Sequence, residues 1–186
     1  MKRRLDFNAP VTLTYTGLSF LILLLSYATS GMVATFLSIY FTSWLDPFMY
    51  LRLFTHTFVH ASFSHFAGNF MMILLLGPLL EQKYSQLNLV LMMLVTSVAT
   101  GLVNIIFFRG TALLGASGVV FMMILLASIS SGREGTIPIT FILVALFYIG
   151  NEVITGLTAQ DNISHISHII GGICGTFFGF RLRQKQ

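Results

Sequence analysis

Long apolar runs alternate with short polar breaks along this chain. Six runs reach or approach the length of a membrane-crossing helix: 11–29, 64–80, 87–108, 117–130, 136–150 and 163–180. A helix needs about 20 apolar residues to cross the hydrocarbon core, and in lipid it must satisfy every backbone polar group within itself. The breaks are compact: Gly77-Pro78 with Glu81-Gln82-Lys83, then Ser131-Gly132-Arg133-Glu134-Gly135, then Arg181-Leu182-Arg183. Residues 30–63 differ, being aromatic, interrupted by Asp46-Pro47, and carrying Arg52, His56 and His60 without a clean apolar run. That pattern predicts short helices lying in the headgroup region. The expected fold is an all-α membrane protein, a bundle of six transmembrane helices with a membrane-interface loop between the first two.

Composition agrees. Charged side chains are 9% of the chain and hydrophobic ones 55%, against about 25% charged in ordinary soluble domains. No internal repeat or linker divides the chain, so one domain is expected over 1–186: a polar lead-in over 1–10, a core over 11–180 and a tail over 181–186. Met1-Lys2-Arg3-Arg4 resembles the start of a signal peptide, but the apolar stretch after it is too long and lacks a cleavage site, which predicts a retained helix. Cys174 is the single cysteine, so no disulfide forms within the chain.

Charge placement sets the topology. With six spans, Lys2, Arg3, Arg4, Lys83, Arg133, Arg181, Arg183 and Lys185 share one side, leaving Arg52 and Arg109 on the other. The positive-inside rule then predicts both termini in the cytoplasm, with the chain in the plasma membrane. The basic residues form no stripe, so nucleic acid is not an expected partner. Acidic residues divide evenly, with Glu152 and Asp161 expected in the last external loop.

This orientation gathers Ser117 and the five histidines (His56, His60, His65, His165, His168) towards the external face. Polar groups at membrane depth are functional candidates by default. Ser117, within Gly115-Ala116-Ser117-Gly118, would by itself be a helix N-cap. On the sixth span, however, His168, Gly171, Gly175 and Gly179 share one helical face, and such a small-residue ridge permits close helix contact. If the fourth span is the neighbour, Ser117 meets an imidazole able to act as its general base. His65 and Asn69, four residues apart, offer hydrogen-bond donors for an oxyanion. A competing use is metal binding by His56 and His60 or by His165 and His168, but no H-E-x-x-H motif or neighbouring carboxylate supports it.

The ordered set His56-x3-His60-x4-His65-x3-Asn69, Gly115-x-Ser117-Gly118 and His168-x2-Gly171-x3-Gly175 resembles the rhomboid family of intramembrane serine proteases. Arg52 and Gly77-x3-Glu81 fit as well. The resemblance implies a six-helix rhomboid-like bundle with Ser117 as nucleophile and His168 as base. It also implies an oxyanion hole of the Ser117 backbone, His65 and Asn69, supported by Gly115, Phe121, Gly171 and Gly175. Phe121 stands where many members have a tyrosine stacked on the catalytic histidine, and Leu51 where a tryptophan is common. The implied activity is a serine endopeptidase that cleaves transmembrane helices near the external face. Its expected partners are single-pass or other transmembrane proteins entering beside the fifth span, and the lipid bilayer, with no metal or cofactor. The alternatives are a non-catalytic rhomboid-like protein that binds helices, and a histidine-lined metal carrier.

Overall fold

The computed structural model describes residues 6–130, 132, 136–158 and 162–182, except for the side chains of 155–158 and 162–164. Lys2, Arg3, Arg4, Arg133, Arg183 and Lys185, on which the topology expectation leans, lie outside the described residues, as do Glu134 and Asp161. The elements are α1 (Pro10–Ala28), α2 (Met32–Leu37), α3 (Pro47–Thr55), a 3-10 turn (His56–Phe58), α4 (Phe63–Tyr84), α5 (Gln86–Phe107), α6 (Ser117–Ser130), α7 (Ile139–Thr158) and α8 (Asn162–Arg181). Among the described residues, extended pairing is limited to one bridge, Ile39 to Leu113.

Among the described residues three helices, α1, α4 and α5, are long and apolar enough to cross a membrane. Their outer faces are large and apolar, including Leu21 and Leu24 on α1, Met71 and Leu75 on α4, and Leu87 and Leu91 on α5. The inward face of α1 is instead Thr12, Tyr15, Ser19, Leu23 and Ser26, a stripe at helical spacing. Small and polar inside with large apolar residues outside is the pattern of a bundle solvated by lipid, where packing and not water exclusion holds helices together.

Helix α6 is the centre. Ten of its fourteen residues are buried, and a helix that is apolar all round belongs inside. Its most extensive contact is with α8. There the α8 glycine ridge replaces side chains with backbone. A Cβ on Gly171 would collide with the Gly118 carbonyl oxygen, and one on Gly175 with that of Met122. At Gly179 it would lie 2.8 Å from Ile129 Cδ1.

Two boundaries depart from the apolar pattern. Helix α4 does not stop at Gly77-Pro78 but continues through Pro78 to Tyr84. Ile73, Gly77, Leu80, Glu81 and Tyr84 are all buried along this stretch, so the polar residues there serve the interior. Helix α7 likewise passes Gly150 and includes Glu152, which is therefore not in a loop as expected.

Glu81 explains the first of these. No side chain of its own caps the start of α1. Instead the Glu81 carboxylate, buried at 4% exposure, accepts hydrogen bonds from Val11 N (3.0 Å), Thr12 N (3.1 Å) and Thr12 Oγ1 (3.0 Å). An anion at a helix N-terminus meets both the orphan N–H groups and the positive end of the dipole. Gly77, one turn earlier on α4, leaves room for the Thr12 side chain. Glu81→Ala strands buried donors, and it is expected to cost about 1–3 kcal/mol, measured as a lowered Tm of the purified protein in detergent.

Candidate active site

The start of α6 is held by the segment between α1 and α4. That segment is itself anchored by Arg52, buried in spite of its charge. Its Nε donates to the Phe36 carbonyl at 2.8 Å, its guanidinium lies 4.4 Å from the Tyr40 ring centre, and Asp46 is 3.6 Å away. Asp46 caps α3 through Phe48 N at 2.9 Å, and the Thr42 hydroxyl bonded to it holds its carboxyl below the usual range. Asn104 Nδ2 donates to the carbonyls of Ile39 and Thr111, and the Ile39–Leu113 bridge ties the 108–116 loop to the same segment.

The last residues before Ser117 are then fixed by two histidines. Gly115 N donates to the His56 carbonyl at 3.0 Å. Ala116 N donates to His60 Nε2 at 3.2 Å, so the remaining proton of His60 sits on Nδ1, facing the Phe58 carbonyl at 3.3 Å. His56 Nδ1 faces the Arg52 carbonyl at 3.0 Å and its Nε2 meets Thr100 Oγ1 at 3.3 Å. Both rings are committed to hydrogen bonds within the fold, which leaves the pair no free nitrogen for the metal use their spacing allowed. Gly115 has φ +116°, and a Cβ there would lie 2.8 Å from His65 Cε1. Only glycine meets both conditions.

Burial pushes His56 and His60, which lie outside the long apolar helices, down to about 4. A histidine depressed from an ordinary value near 6.5 is neutral in the folded state and protonated in the unfolded state between those limits. Its stabilisation is complete above about pH 6.5 and is lost as pH falls through about 4. Protonated His60 would also point a proton at the Ala116 N–H. The expected result is a stability that falls between pH 6.5 and 4 by an amount on the order of a few kcal/mol, seen as a falling Tm. Thermal unfolding in detergent at stepped pH checks it, and His60→Gln flattens the slope.

Beyond the loop, three helices converge on the first turn of α6. From α8, the His168 ring stacks on Phe121 at 4.3 Å and 5° between planes. Phe121 is one turn after Ser117, and Gly171 contacts Gly118, so the imidazole lies over the helix end that opens with the serine. His168 Nε2 is buried and makes no hydrogen bond, that to Ser117 included. From α4, His65 abuts Gly115, its ring 5.0 Å from that of His60. Asn69, one turn further, is 9% exposed and its Nδ2 has no protein partner. A buried amide N–H2 without an acceptor is costly in a finished fold and invites a ligand.

From α7 comes a residue that sequence reasoning missed. Glu152, 8% exposed, lies with Oε2 2.6 Å from His165 Nδ1 and 2.9 Å from His168 Nδ1. The bond to His165 is well aligned, whereas the His168 N–H is not directed at the oxygen. The expectation of no carboxylate near these histidines is thus corrected. No spacing in the sequence pointed to it; in the fold, Tyr148, one turn before Glu152, packs edge-on against Phe121 at 5.8 Å. One ligand atom from each of Glu152, His165 and His168 lies within 4.8 Å of the others, a set that could hold a metal ion. Yet 2.6 and 2.9 Å are hydrogen-bond separations, shorter than the roughly 3.3 Å between ligands of a tetrahedral zinc. A cavity of about 320 Å³ lined by Phe121, Phe147, Tyr148, Asn151 and Glu152 opens beside this cluster. A second cavity of about 330 Å³, between α1, α3 and α5 and reaching Val119 of α6, is largely apolar and is lined by none of these polar groups.

The sequence matches the Rhomboid domain family over residues 47–185. It is also 28% identical over 140 residues to the rhomboid protease GlpG of Haemophilus influenzae, an alignment that covers 73% of this chain and 72% of that protein. The family match takes in every helix that converges on Ser117 and spans well over half of the sequence, so this membrane protein belongs to the rhomboid family, a family of intramembrane serine proteases.

Proposed function

We propose that this protein is an intramembrane serine endopeptidase that uses Ser117 and His168 to cut transmembrane helices of other membrane proteins near the external face. The observation that carries this reading is the His168 imidazole, stacked one turn from Ser117 with its Nε2 buried and unbonded. A base waiting on substrate often tightens onto its nucleophile only in the complex. In the reaction, Ser117 Oγ attacks the peptide carbonyl while His168 Nε2 takes its proton. The oxyanion is held by the Ser117 backbone N–H, Asn69 Nδ2 and His65. His168 then protonates the leaving amine, and a water attacks the acyl-enzyme with the same base.

Water must reach this site, so it opens to the external aqueous face. A substrate helix hides its carbonyls in its own hydrogen bonds, which favours segments rich in glycine and other small residues that unwind readily. Six membrane spans with both termini cytoplasmic complete the proposal. The test is incubation of the full chain, in detergent or liposomes, with a labelled single-spanning helix, beside Ser117→Ala. Cleavage by the wild type that the variant lacks supports the reading, and equal cleavage by both sinks it.

A further inference from the structure

We infer that Glu152 is the positioning carboxylate of His168, held out from α7 to orient the base on α8. This rests on the protease reading above and adds a third member to its serine–histidine pair.

The placement supports three linked functions. First, Glu152 Oε2 approaches His168 at Nδ1, which leaves Nε2 as the nitrogen for the serine in the protease reading. A carboxylate on Nδ1–H fixes the tautomer in which Nε2 is unprotonated and free to act as base. Second, the carboxylate is nearly buried, where its charge is poorly screened. When Nε2 accepts the serine proton, the resulting imidazolium finds a counter-charge already in place, as in serine hydrolases with a third acid. Third, Phe121 supplies a flat stacking surface and no hydroxyl. Stacking sets the plane of the ring but leaves rotation within that plane free, and Glu152 supplies the polar contact that stops it.

The groups facing His168 are few. Glu152 comes from α7, His165 from one turn earlier on α8, and His65 from α4. Among the described residues, Glu152 is the one anion near the ring. His165 donates to the same oxygen in good alignment, which holds the carboxylate in place and satisfies it in the resting state. The poor alignment to His168 leaves that contact to strengthen when the ring becomes charged.

The test compares wild type, Glu152→Gln, Glu152→Asp and Ser117→Ala as full chains, with a labelled transmembrane substrate and a serine-directed fluorophosphonate. Glu152→Gln keeps the volume and loses the charge. It is expected to lower kcat and the rate of fluorophosphonate labelling together by about 10–100-fold, with KM within about threefold and Tm little changed. Glu152→Asp, which keeps the charge, recovers part of both rates. The inference is overturned if kcat and labelling in Glu152→Gln stay within threefold of wild type while Ser117→Ala is dead, an outcome that leaves the protease reading intact. A rise in KM at constant kcat overturns it by making Glu152 a substrate contact. One equivalent of bound zinc in the wild type, lost in Glu152→Gln, overturns it by making the carboxylate a metal ligand. Were Glu152→Gln to unfold, Glu152→Asp decides: folded but with labelling unrelated to its kcat, it too counts against the inference. A wild type that neither cleaves nor labels sinks the protease reading, and the inference falls with it.

Discussion

Ser117→Ala is expected to lower cleavage of a transmembrane substrate by at least about 10³-fold, and His168→Ala to do nearly the same, with the double variant no worse than either. Nucleophile and base act as one unit, so removing the second after the first costs little. The two single variants differ in stability. Ser117 opens a helix and is partly exposed, so its loss leaves packing intact. His168 is stacked on Phe121 and flanked by Glu152, so its loss opens a gap beside a carboxylate and lowers Tm. Fluorophosphonate labelling separates chemistry from folding: both variants fail to label, while a folded Asn69→Ala still labels, more slowly. One lost oxyanion donor costs about 10²–10³ in turnover, so Asn69→Ala lies between the wild type and the pair. Cleavage retained in folded His168→Ala would exclude it as the base.

Gly171→Val is expected to have the next largest effect. A Cβ at this position runs into the Gly118 carbonyl oxygen, and backbone inside a packed helix cannot turn aside. The helices must separate, and overpacking of this kind costs about 1–3 kcal/mol or more. Gly118 follows Ser117 directly, so the displacement falls on the nucleophile and the base at once. A shift near 1 Å is enough to cost about 10²-fold in rate. Gly172→Ala is the control, because its Cβ would meet Ile149 Cδ1, the far end of a flexible side chain. Tm and kcat measured on both variants should show a large fall in the first and a small one in the second. Equal behaviour would mean that the close approach of α6 and α8 does not hold the site.

What could be read in advance follows from the range of each interaction. The glycine ridge of α8 was legible because one helical period places three glycines on the face of His168, and a face that small has to meet backbone. Gly115 was legible as part of a motif, though its reason, a left-handed turn pressed against His65, is tertiary. Glu152 was not legible, because apolar run length ends the fifth span before Asn151. The helix continues because its polar residues have partners inside the bundle, a fact held by α8 and not by α7. The same holds for Glu81, where a Pro-containing polar stretch signals a stop but the carboxylate has an appointment with α1. His60 was weighed as a ligand, and its real partner is a backbone N–H 56 positions away. No spacing rule reports a contact of that kind.

The Glu81 clamp has a bearing on how the chain is made. During synthesis α1 leaves the ribosome before α4, with the amides of Val11 and Thr12 unanswered. Their acceptor is 70 residues downstream, so the opening turn of α1 stays unfinished until α4 has entered the bilayer and lies beside it. The beginning of α1 is thus anchored only once α4 is in place, and that dependence is carried by a single carboxylate.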